Sequence, residues 1–279
     1  MRPRVRFLAL PLVAVACTSR ERNRPAAELP MVRLEAHDFA FTAPAQFAAG
    51  LTRVRLVNRG PAWHEANIAR LPDGETMDSY LAGVRSGNSF PVGAVDFGGP
   101  GKVAANDSSD VVIDLEPGRY VVVCWHDDHA KAGMIASMVV SATDSTGATQ
   151  RRDSVGAPAV TGEVALEDFR FTHAPGTYRR GHNVLRVRNV GQRPHDMTFL
   201  RLQPGRTIAE FSAWYRSREG DAPALPVGGM VTLAPGKEGL VEIDFEPGSY
   251  LVTCGTPEKT PDGTKIHAQM GMAEAFDIK

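Results

Sequence analysis

The sequence repeats itself once, at about the length of a domain. Four segments of the first half return in the same order in the second half: DFAFT (38–42) as DFRFT (168–172), VRLVNRGPAWHEANIARL (54–71) as LRVRNVGQRPHDMTFLRL (185–202), VVIDLEPGRYVVVC (111–124) as VEIDFEPGSYLVTC (241–254), and HAKAGM (129–134) as HAQMGM (267–272). Self-similarity of this kind is typical of a duplicated folding unit. The chain has 279 residues, which is enough for two domains of ordinary size. We therefore predict two similar domains, 31–141 and 162–279, joined by a linker at 142–161.

Each copy has the pattern of a β-sandwich. Apolar and basic residues largely alternate in TRVRLVN (52–58) and NVLRVRN (183–189), as in a strand with one buried face. Glu-Pro-Gly before Tyr120 and before Tyr250 is a turn that leads into another strand. One short helix is expected per copy, at 76–87 and 207–217. Many turn-bounded strands and little helix predict an all-β fold, with two tandem Greek-key β-sandwich domains.

An immunoglobulin-like sandwich is the alternative fold. With its internal disulfide, that fold has two cysteines per domain and a tyrosine two residues before the second. Each predicted domain here has one cysteine, Cys124 or Cys254, and the tyrosine stands four residues before it. We therefore predict that these cysteines do not form that disulfide.

The N-terminus has the pattern of an export signal. MRPRVR is a basic start, and FLALPLVAVA is an apolar stretch too short to span a bilayer. AVAC, ending at Cys17, is similar to the lipobox of bacterial lipoproteins, in which the cysteine is acylated. We predict a signal segment at 1–17, lipidation of Cys17, a polar tether at 18–30, and an exported protein, periplasmic or at the cell surface, anchored to a membrane by lipid. Cleavage after Ala16, which leaves a soluble protein, is the alternative.

Composition adds two constraints. The chain is 43% hydrophobic and 23% charged, so it can bury real cores. Its formal net charge of −1 gives no reason to expect nucleic acid as a partner.

The repeated segments carry the same four side chains in the same order. They are His64, Cys124, His129 and Met134 in the first copy, and His195, Cys254, His267 and Met272 in the second. Two imidazoles and a thiolate in a trigonal plane, with a weak axial thioether, form a type 1 (blue) copper site. Any one of these residues alone is more often a packing or surface residue, but packing does not explain why all four recur together. We predict one such site per copy, and so up to two copper ions per chain.

Other polar residues near these motifs are assigned different roles. His126 competes with His129 for the first site, but its spacing to Met134 has no counterpart in the second copy, so His129 is the predicted ligand. The remaining histidines, which have no ligand-like partners, are predicted to be surface residues: His37, His173 and His182. A solvated rim is predicted for Asp127, Asp128 and Lys131.

These motifs resemble those of the cupredoxin family over nearly all of both copies. Asn-x-Gly-x-x-x-His, at 58–64 and 189–195, is similar to the end of the family's first-ligand strand. Pro-Gly-x-Tyr-x-x-x-Cys, followed by His and Met, is similar to its ligand loop. The resemblance implies two cupredoxin-like domains that bind type 1 copper. It also implies that electrons leave through the exposed ring edge of the second histidine, His129 or His267.

Two features depart from the family pattern. The residue after the first histidine is Glu65 or Asp196, where the family often has Asn. The spacer between the cysteine and the second histidine has four residues in copy one (125–128) and twelve in copy two (255–266). We predict that the longer spacer folds as a compact excursion and returns His267 to Cys254.

The sequence therefore predicts an exported copper protein that carries electrons to a redox partner protein, such as a cytochrome or an oxidase. The enzymes that share this architecture, copper nitrite reductases and multicopper oxidases, hold further copper with His-x-His or His-Cys-His motifs, which this chain lacks. For this reason the prediction is an electron carrier and not an enzyme. A metal-free binding or scaffold module would also fit the repeated fold, and a copper carrier would fit the same donor residues.

Overall fold

The structure, a computed structural model, describes residues 28–87, 93–142 and 156–279. The predicted signal segment with Cys17, the tether up to residue 27, and most of the predicted linker lie outside these ranges. Within them, no helix is long and apolar enough to cross a membrane.

Both halves consist mainly of short strands. The elements of the first half are β1 (Met31–His37), β2 (Ala40–Thr42), β3 (Gln46–Ala48), β4 (Gly50–Asn58), β5 (Asn67–Arg70), α1 (Met77–Arg85), β6 (Val95–Asp96), β7 (Ser108–Leu115), β8 (Gly118–Val123) and β9 (Ile135–Ser141). Those of the second half are β10 (Gly162–Glu167), β11 (Arg170–His173), β12 (Gly181–Asn189), β13 (His195–Leu202), α2 (Ile208–Ser217), β14 (Ala224–Leu233), β15 (Glu238–Phe245), β16 (Gly248–Thr253), β17 (Pro257–Thr260), β18 (Gly263–Ile266), a 3-10 turn (His267–Met270) and β19 (Ala273–Ile278).

Each half is a sandwich of two sheets. In the first half, β2-β1-β4-β7 faces β3-β9-β8-β5-β6, and in the second half β11-β10-β12-β15 faces β14-β13-β16-β19. The sheets can pack face to face because apolar and basic residues alternate along the strands. In β4, for example, Val54 and Leu56 point into the core and the arginines point outward. The predicted all-β sandwich fold is confirmed.

The two predicted helices are present and begin at threonine caps. The hydroxyl of Thr76 accepts a hydrogen bond from the amide of Ser79, and that of Thr207 accepts one from the amide of Glu210. Such caps satisfy amides that have no partner within the helix. The helix α1 buries Tyr80 and Val84 against its own domain.

The two halves are not separate sandwiches, since one sheet runs through both. In the described residues β7 pairs antiparallel with β15, which fuses the two four-stranded sheets into one sheet of eight strands. The segment 97–103 also bridges to β14, and the amide of Gly101 donates to the carbonyl of Gly229 at 3.0 Å. The main hydrophobic core contains residues of both halves, among them Phe97 and Leu233. The predicted bounds of the two domains stay predictions.

Glycine makes this close backbone approach possible. A Cβ atom on Gly101 would lie 2.6 Å from the backbone of Gly229, and one on Gly228 would lie 2.9 Å from the hydroxyl oxygen of Ser109 in the other half. Gly228 also has a φ of 113°, which side-chain-bearing residues rarely adopt. The join between the halves is therefore made backbone to backbone.

Candidate metal centres

Two groups of buried side chains lie at corresponding places in the two sandwiches. One contains His64, Cys124 and His129, and in each group the possible ligand atoms lie within 4.8 Å of one another. The other contains His195, Cys254 and His267. In each, the cysteine follows the last residue of a central strand, β8 or β16, and the second histidine comes from the loop after it. The structure thus brings together the predicted His, Cys and His of each copy.

The spacing of these atoms fits a shared metal ion. The Sγ atom of Cys124 lies 3.9 Å from Nδ1 of His64 and 3.5 Å from Nδ1 of His129. In the second group the Sγ atom of Cys254 lies 4.0 Å and 3.5 Å from the corresponding nitrogens of His195 and His267. Donors that sit about 2.0–2.3 Å from one metal in a trigonal plane are about 3.5–4 Å apart. The sulfur–nitrogen distances fit this spacing, whereas the Nδ1 atoms of His195 and His267 lie closer together, at 3.0 Å. Each group could hold a metal ion.

Backbone hydrogen bonds hold the predicted methionine beside each cysteine. The amide of Cys124 donates to the carbonyl of Met134 at 3.2 Å, and the amide of Met134 donates to the carbonyl of His129 at 2.9 Å. Met272 has the same two bonds, with Cys254 and His267, each at 3.0 Å. The side chains of Met134 and Met272 are fully buried. Axial ligation by these methionines stays a prediction.

The long spacer of the second copy is folded compactly, as expected. Its strands β17 and β18 form an antiparallel hairpin. The amide of His267 then donates to the carbonyl of Thr256 at 3.0 Å, and the amide of Ala268 donates to that of Cys254 at 2.9 Å. The hairpin thus closes on itself and returns His267 to the cysteine.

An aspartate orients the first histidine in both groups. Oδ1 of Asp38 lies 3.0 Å from Nε2 of His64, and Oδ1 of Asp168 lies 3.0 Å from Nε2 of His195. A histidine that donates its Nε2–H to a carboxylate offers the lone pair of Nδ1 to a metal, and it is a stronger ligand for that reason. This role of the aspartate is not among the predictions from the sequence, although the repeated DFxFT motif was its signal.

The Asn-x-Gly motif leaves room for this contact. A Cβ atom on Gly60 would lie 2.2 Å from Oδ1 of Asp38, and one on Gly191 would lie 2.4 Å from Oδ1 of Asp168. The preceding asparagine holds the turn, since Oδ1 of Asn58 accepts from the amide of Gly60 at 2.9 Å. The repeated glycine is therefore required by the carboxylate and histidine that meet beside it.

The phenylalanine of the DFxFT motif packs against the second histidine of each group. The ring of Phe39 meets that of His129 edge-on at 5.3 Å, and the ring of Phe169 meets that of His267 at 5.0 Å. Both phenylalanines have a φ of 65°, a left-handed conformation that costs a side-chain-bearing residue about 1–2 kcal/mol. The strain is repeated in both copies, where it places the ring over the ligand.

The family resemblance implied that the second histidine of each group has an exposed ring edge, but both histidines are buried. His267 is completely buried, and His129 is 7% exposed. The hairpin and Phe169 close the second centre, whereas Phe39, over the first, is itself 50% exposed. The first centre is therefore the one nearer to solvent.

Burial sets the protonation of the donors. It lowers the pKa of His64 and of His195, against the opposing effect of Asp38 or Asp168, and it also lowers the pKa of His267. Burial raises the pKa of the Cys124 thiol to about 12, and it raises that of Cys254 as well. At neutral pH these three imidazoles are therefore neutral, ready to bind a metal, and each thiol carries a proton that a metal must displace.

The other described histidines are not members of the two donor groups. His126 is buried next to the first group, with its ring centroid 5.1 Å from that of His129, and burial lowers its pKa to about 2. His37 is exposed, as predicted. His173 is less exposed than predicted, because its Nε2 lies 2.9 Å from a carboxylate oxygen of Glu274. The predicted rim residues, Asp127, Asp128 and Lys131, are exposed.

Glu65 and Asp196 lie between the two groups. The amide of Asp196 donates to the Sγ atom of Cys254 at 3.3 Å, so the backbone contact with the cysteine exists without the usual asparagine. The carboxylate of Asp196 accepts hydrogen bonds from the amide of Gly255 at 2.8 Å and the hydroxyl of Thr256 at 3.1 Å. An aspartate thus ties the two ligand loops of the second group together.

Comparison with known proteins returns solved structures alone: no protein-family model and no curated protein matches the sequence. A reduced auracyanin from Roseiflexus castenholzii is 15% identical with a TM-score of 0.29, covering 41% of this chain and 99% of its own. A Cu-containing nitrite reductase from Thermus scotoductus SA-01 is 12% identical with a TM-score of 0.25, covering 89% of this chain and 61% of its own. A blue copper oxidase from Nitrosomonas europaea is 15% identical with a TM-score of 0.26, covering 89% and 86%.

The names of these structures agree with the predicted cupredoxin resemblance, but every TM-score is below 0.5, so they are not an argument for it. They also agree with copper as the cofactor, for which the two His–Cys–His groups supply the donors. The prediction that the chain is no enzyme is wrong as an exclusion. The matches that extend over 89% of the chain are a nitrite reductase and a copper oxidase, whereas the auracyanin matches 41%. At such low identity they assign no activity to this chain.

The aspartate contact predicts a loss of metal affinity on substitution. In a Cys254→Ser background, where the first centre alone is complete, Asp38→Asn should weaken Zn²⁺ or Cu²⁺ binding about 10–100-fold, because the neutral amide supports the imidazole less well. Competition with a chelator measures the effect. Asp73→Asn, an exposed turn residue of the same domain, is the control and should leave the affinity unchanged. Equal affinities in all three proteins would contradict the role of Asp38.

Thiol protonation predicts that metal affinity rises with pH. Because burial raises the pKa of Cys254 and lowers those of His195 and His267, metal binding at the second centre releases one thiol proton between about pH 6 and pH 8. The Zn²⁺ affinity, measured with this redox-inert ion against a chelator, should rise about 10-fold per pH unit. The Cys124→Ser, Cys254→Ser double variant should lose this dependence. A pH-independent affinity in the unsubstituted protein would rule out thiolate ligation.

Proposed function

We propose that the protein is an exported copper protein that holds one type 1 copper ion in each domain and moves single electrons. His64, Cys124, His129 and Met134 would hold the first ion. His195, Cys254, His267 and Met272 would hold the second. Copper in such a donor set cycles between Cu(I) and Cu(II) and absorbs strongly in the visible.

One observation carries the proposal, the occurrence of the same buried donor set twice. In both groups the Sγ atom faces two Nδ1 atoms at 3.5–4.0 Å. The residues around the donors restrict their movement: an aspartate fixes the first histidine, and backbone bonds fix the second histidine and the methionine to the cysteine. Donors that do not rearrange suit rapid electron exchange, since both oxidation states then share one geometry.

The first centre is the favoured place for electron exchange with other molecules. His129 is the less deeply buried second histidine, and Phe39 beside it is half exposed. We propose that a redox partner protein, such as a cytochrome or an oxidase, docks over these two residues. Electrons would then have only a short path from the ring of His129 to the protein surface.

Copper binding is tested by removing one thiolate at a time. In the Cu²⁺-loaded protein, Cys124→Ser and Cys254→Ser should each reduce the intensity of the visible thiolate-to-copper band by the contribution of one centre. The double variant should lose the band. Met138→Leu, which changes a buried methionine outside both donor sets, is the control and should keep it. If both thiols react freely with a thiol reagent after copper loading, the chain is a metal-free module instead.

Export and lipidation of Cys17 are part of the proposal and rest on the basic start, the short apolar stretch and AVAC at 14–17. Mass spectrometry of the protein from a membrane fraction should show a diacylglyceryl group on an N-terminal Cys17. Cys17→Ala should move the protein to the soluble fraction. An unmodified cysteine in a soluble mature protein would contradict lipidation.

A further inference from the structure

A cavity of about 510 Å³ is lined by residues of both halves of the chain. Its walls include the residues that directly follow ligands of both centres in sequence. Glu65 follows His64 and Asp196 follows His195, and both line the cavity. The two acidic residues that stand where the family often has asparagine thus line the same cavity.

Lys102 adds a partly buried positive charge to this space. Its side chain is 20% exposed, and Nζ lies 3.5 Å from a carboxylate oxygen of Glu65. Its backbone belongs to the segment that joins the domains, where its carbonyl accepts from the amide of Gly228 at 2.9 Å. Burial opposes its charge, yet the negative groups around it, Glu65 first, hold the pKa of Lys102 above its usual range. The lysine therefore stays protonated at the interface.

The charges around Lys102 reach both cysteines. On one side, Glu65 and Lys102 act with opposite sign on the Cys124 thiol. On the other, the carboxylate of Asp196 lies 3.7 Å from the Sγ atom of Cys254, and Glu65 and Lys102 act on Asp196 in turn. Glu65 and Lys102 form an ion pair, and Asp196 lines the same cavity beside Cys254, so the three charges lie near donors of both centres.

We propose that Lys102 is a positioning residue that sets the reduction potentials of both centres together, through Glu65 and Asp196. This inference rests on the proposed function. A cation near a centre disfavours its more positive oxidised state and so raises its potential. Charges within the protein are less screened than charges at its surface, so a single lysine between two centres acts on both.

The experiment measures each centre separately in the full-length, copper-loaded protein. Cys254→Ser leaves the first centre and Cys124→Ser leaves the second, and redox titration of the visible band gives each potential. In both backgrounds Lys102→Met should increase the ratio of oxidised to reduced protein at a fixed applied potential by at least about fivefold. Lys102→Arg, which keeps the charge, should leave the ratio near its starting value.

A second substitution should shift the ratio of oxidised to reduced protein in the opposite direction. It distinguishes an effect of charge from a folding defect caused by Lys102→Met. Glu65→Gln removes a negative charge in the first domain. It should lower the ratio of oxidised to reduced protein at the second centre, to which Glu65 contributes no ligand. Lys131→Met is the matched control. Lys131 is an exposed lysine of the first ligand loop, paired with Asp128 at 2.7 Å, and its removal should change either ratio by less than about twofold.

Opposite shifts for Lys102→Met and Glu65→Gln, seen at both centres, support the inference, since a loss of packing does not change sign with charge. A shift confined to the first centre, or equal shifts for Lys102→Met and Lys131→Met, would overturn it. Visible bands with unmoved potentials overturn this inference and leave the proposed function intact. If the unsubstituted protein has no visible band, both fail.

Discussion

The antiparallel pairing of β7 with β15 is the interaction on which the rest of the arrangement depends. It joins a four-stranded sheet of each copy into one hydrogen-bonded sheet of eight strands. The contacts of segment 97–103 with β14 add a second backbone join, which glycines permit by leaving no side chain in the gap. Because backbone bonds at two places oppose rotation of one half against the other, the two donor groups have a fixed relation.

Within each half, the donor group depends on a meeting of two turns. The turn at Asn58–Gly60 brings the chain past Asp38, and the turn at Asp38–Phe39 places a carboxylate on one histidine and a ring on the other. The left-handed φ of Phe39 costs free energy that the surrounding packing must offset. The same arrangement recurs at Asp168 and Phe169, so it is a property of the repeated unit.

The halves differ where their ligand loops differ. In the second half the hairpin of β17 and β18, together with Phe169, leaves His267 without exposed surface. In the first half a four-residue spacer leaves His129 closer to solvent, with His126 buried beside it. One donor chemistry is therefore present in two settings, one closed and one nearer the surface. The charged residues at the interface lie between them.

The duplication, the sandwich of each copy, the two helices and the candidate donor residues could be predicted from the sequence. These follow from local patterns: alternation in β4, threonines at the helix starts, and four side chains that recur in order. The compact return of the long spacer was also predictable, because His267 must approach Cys254 if both residues bind one metal ion. How the copies join and what lies between them could not be predicted and is known from the three-dimensional structure. The pairing of β7 with β15, the contact of Asp38 with His64 and the placement of Lys102 between Glu65 and the second domain link residues far apart in the chain. No local periodicity encodes such pairs, because their free energy comes from surfaces that exist only once both sandwiches have formed.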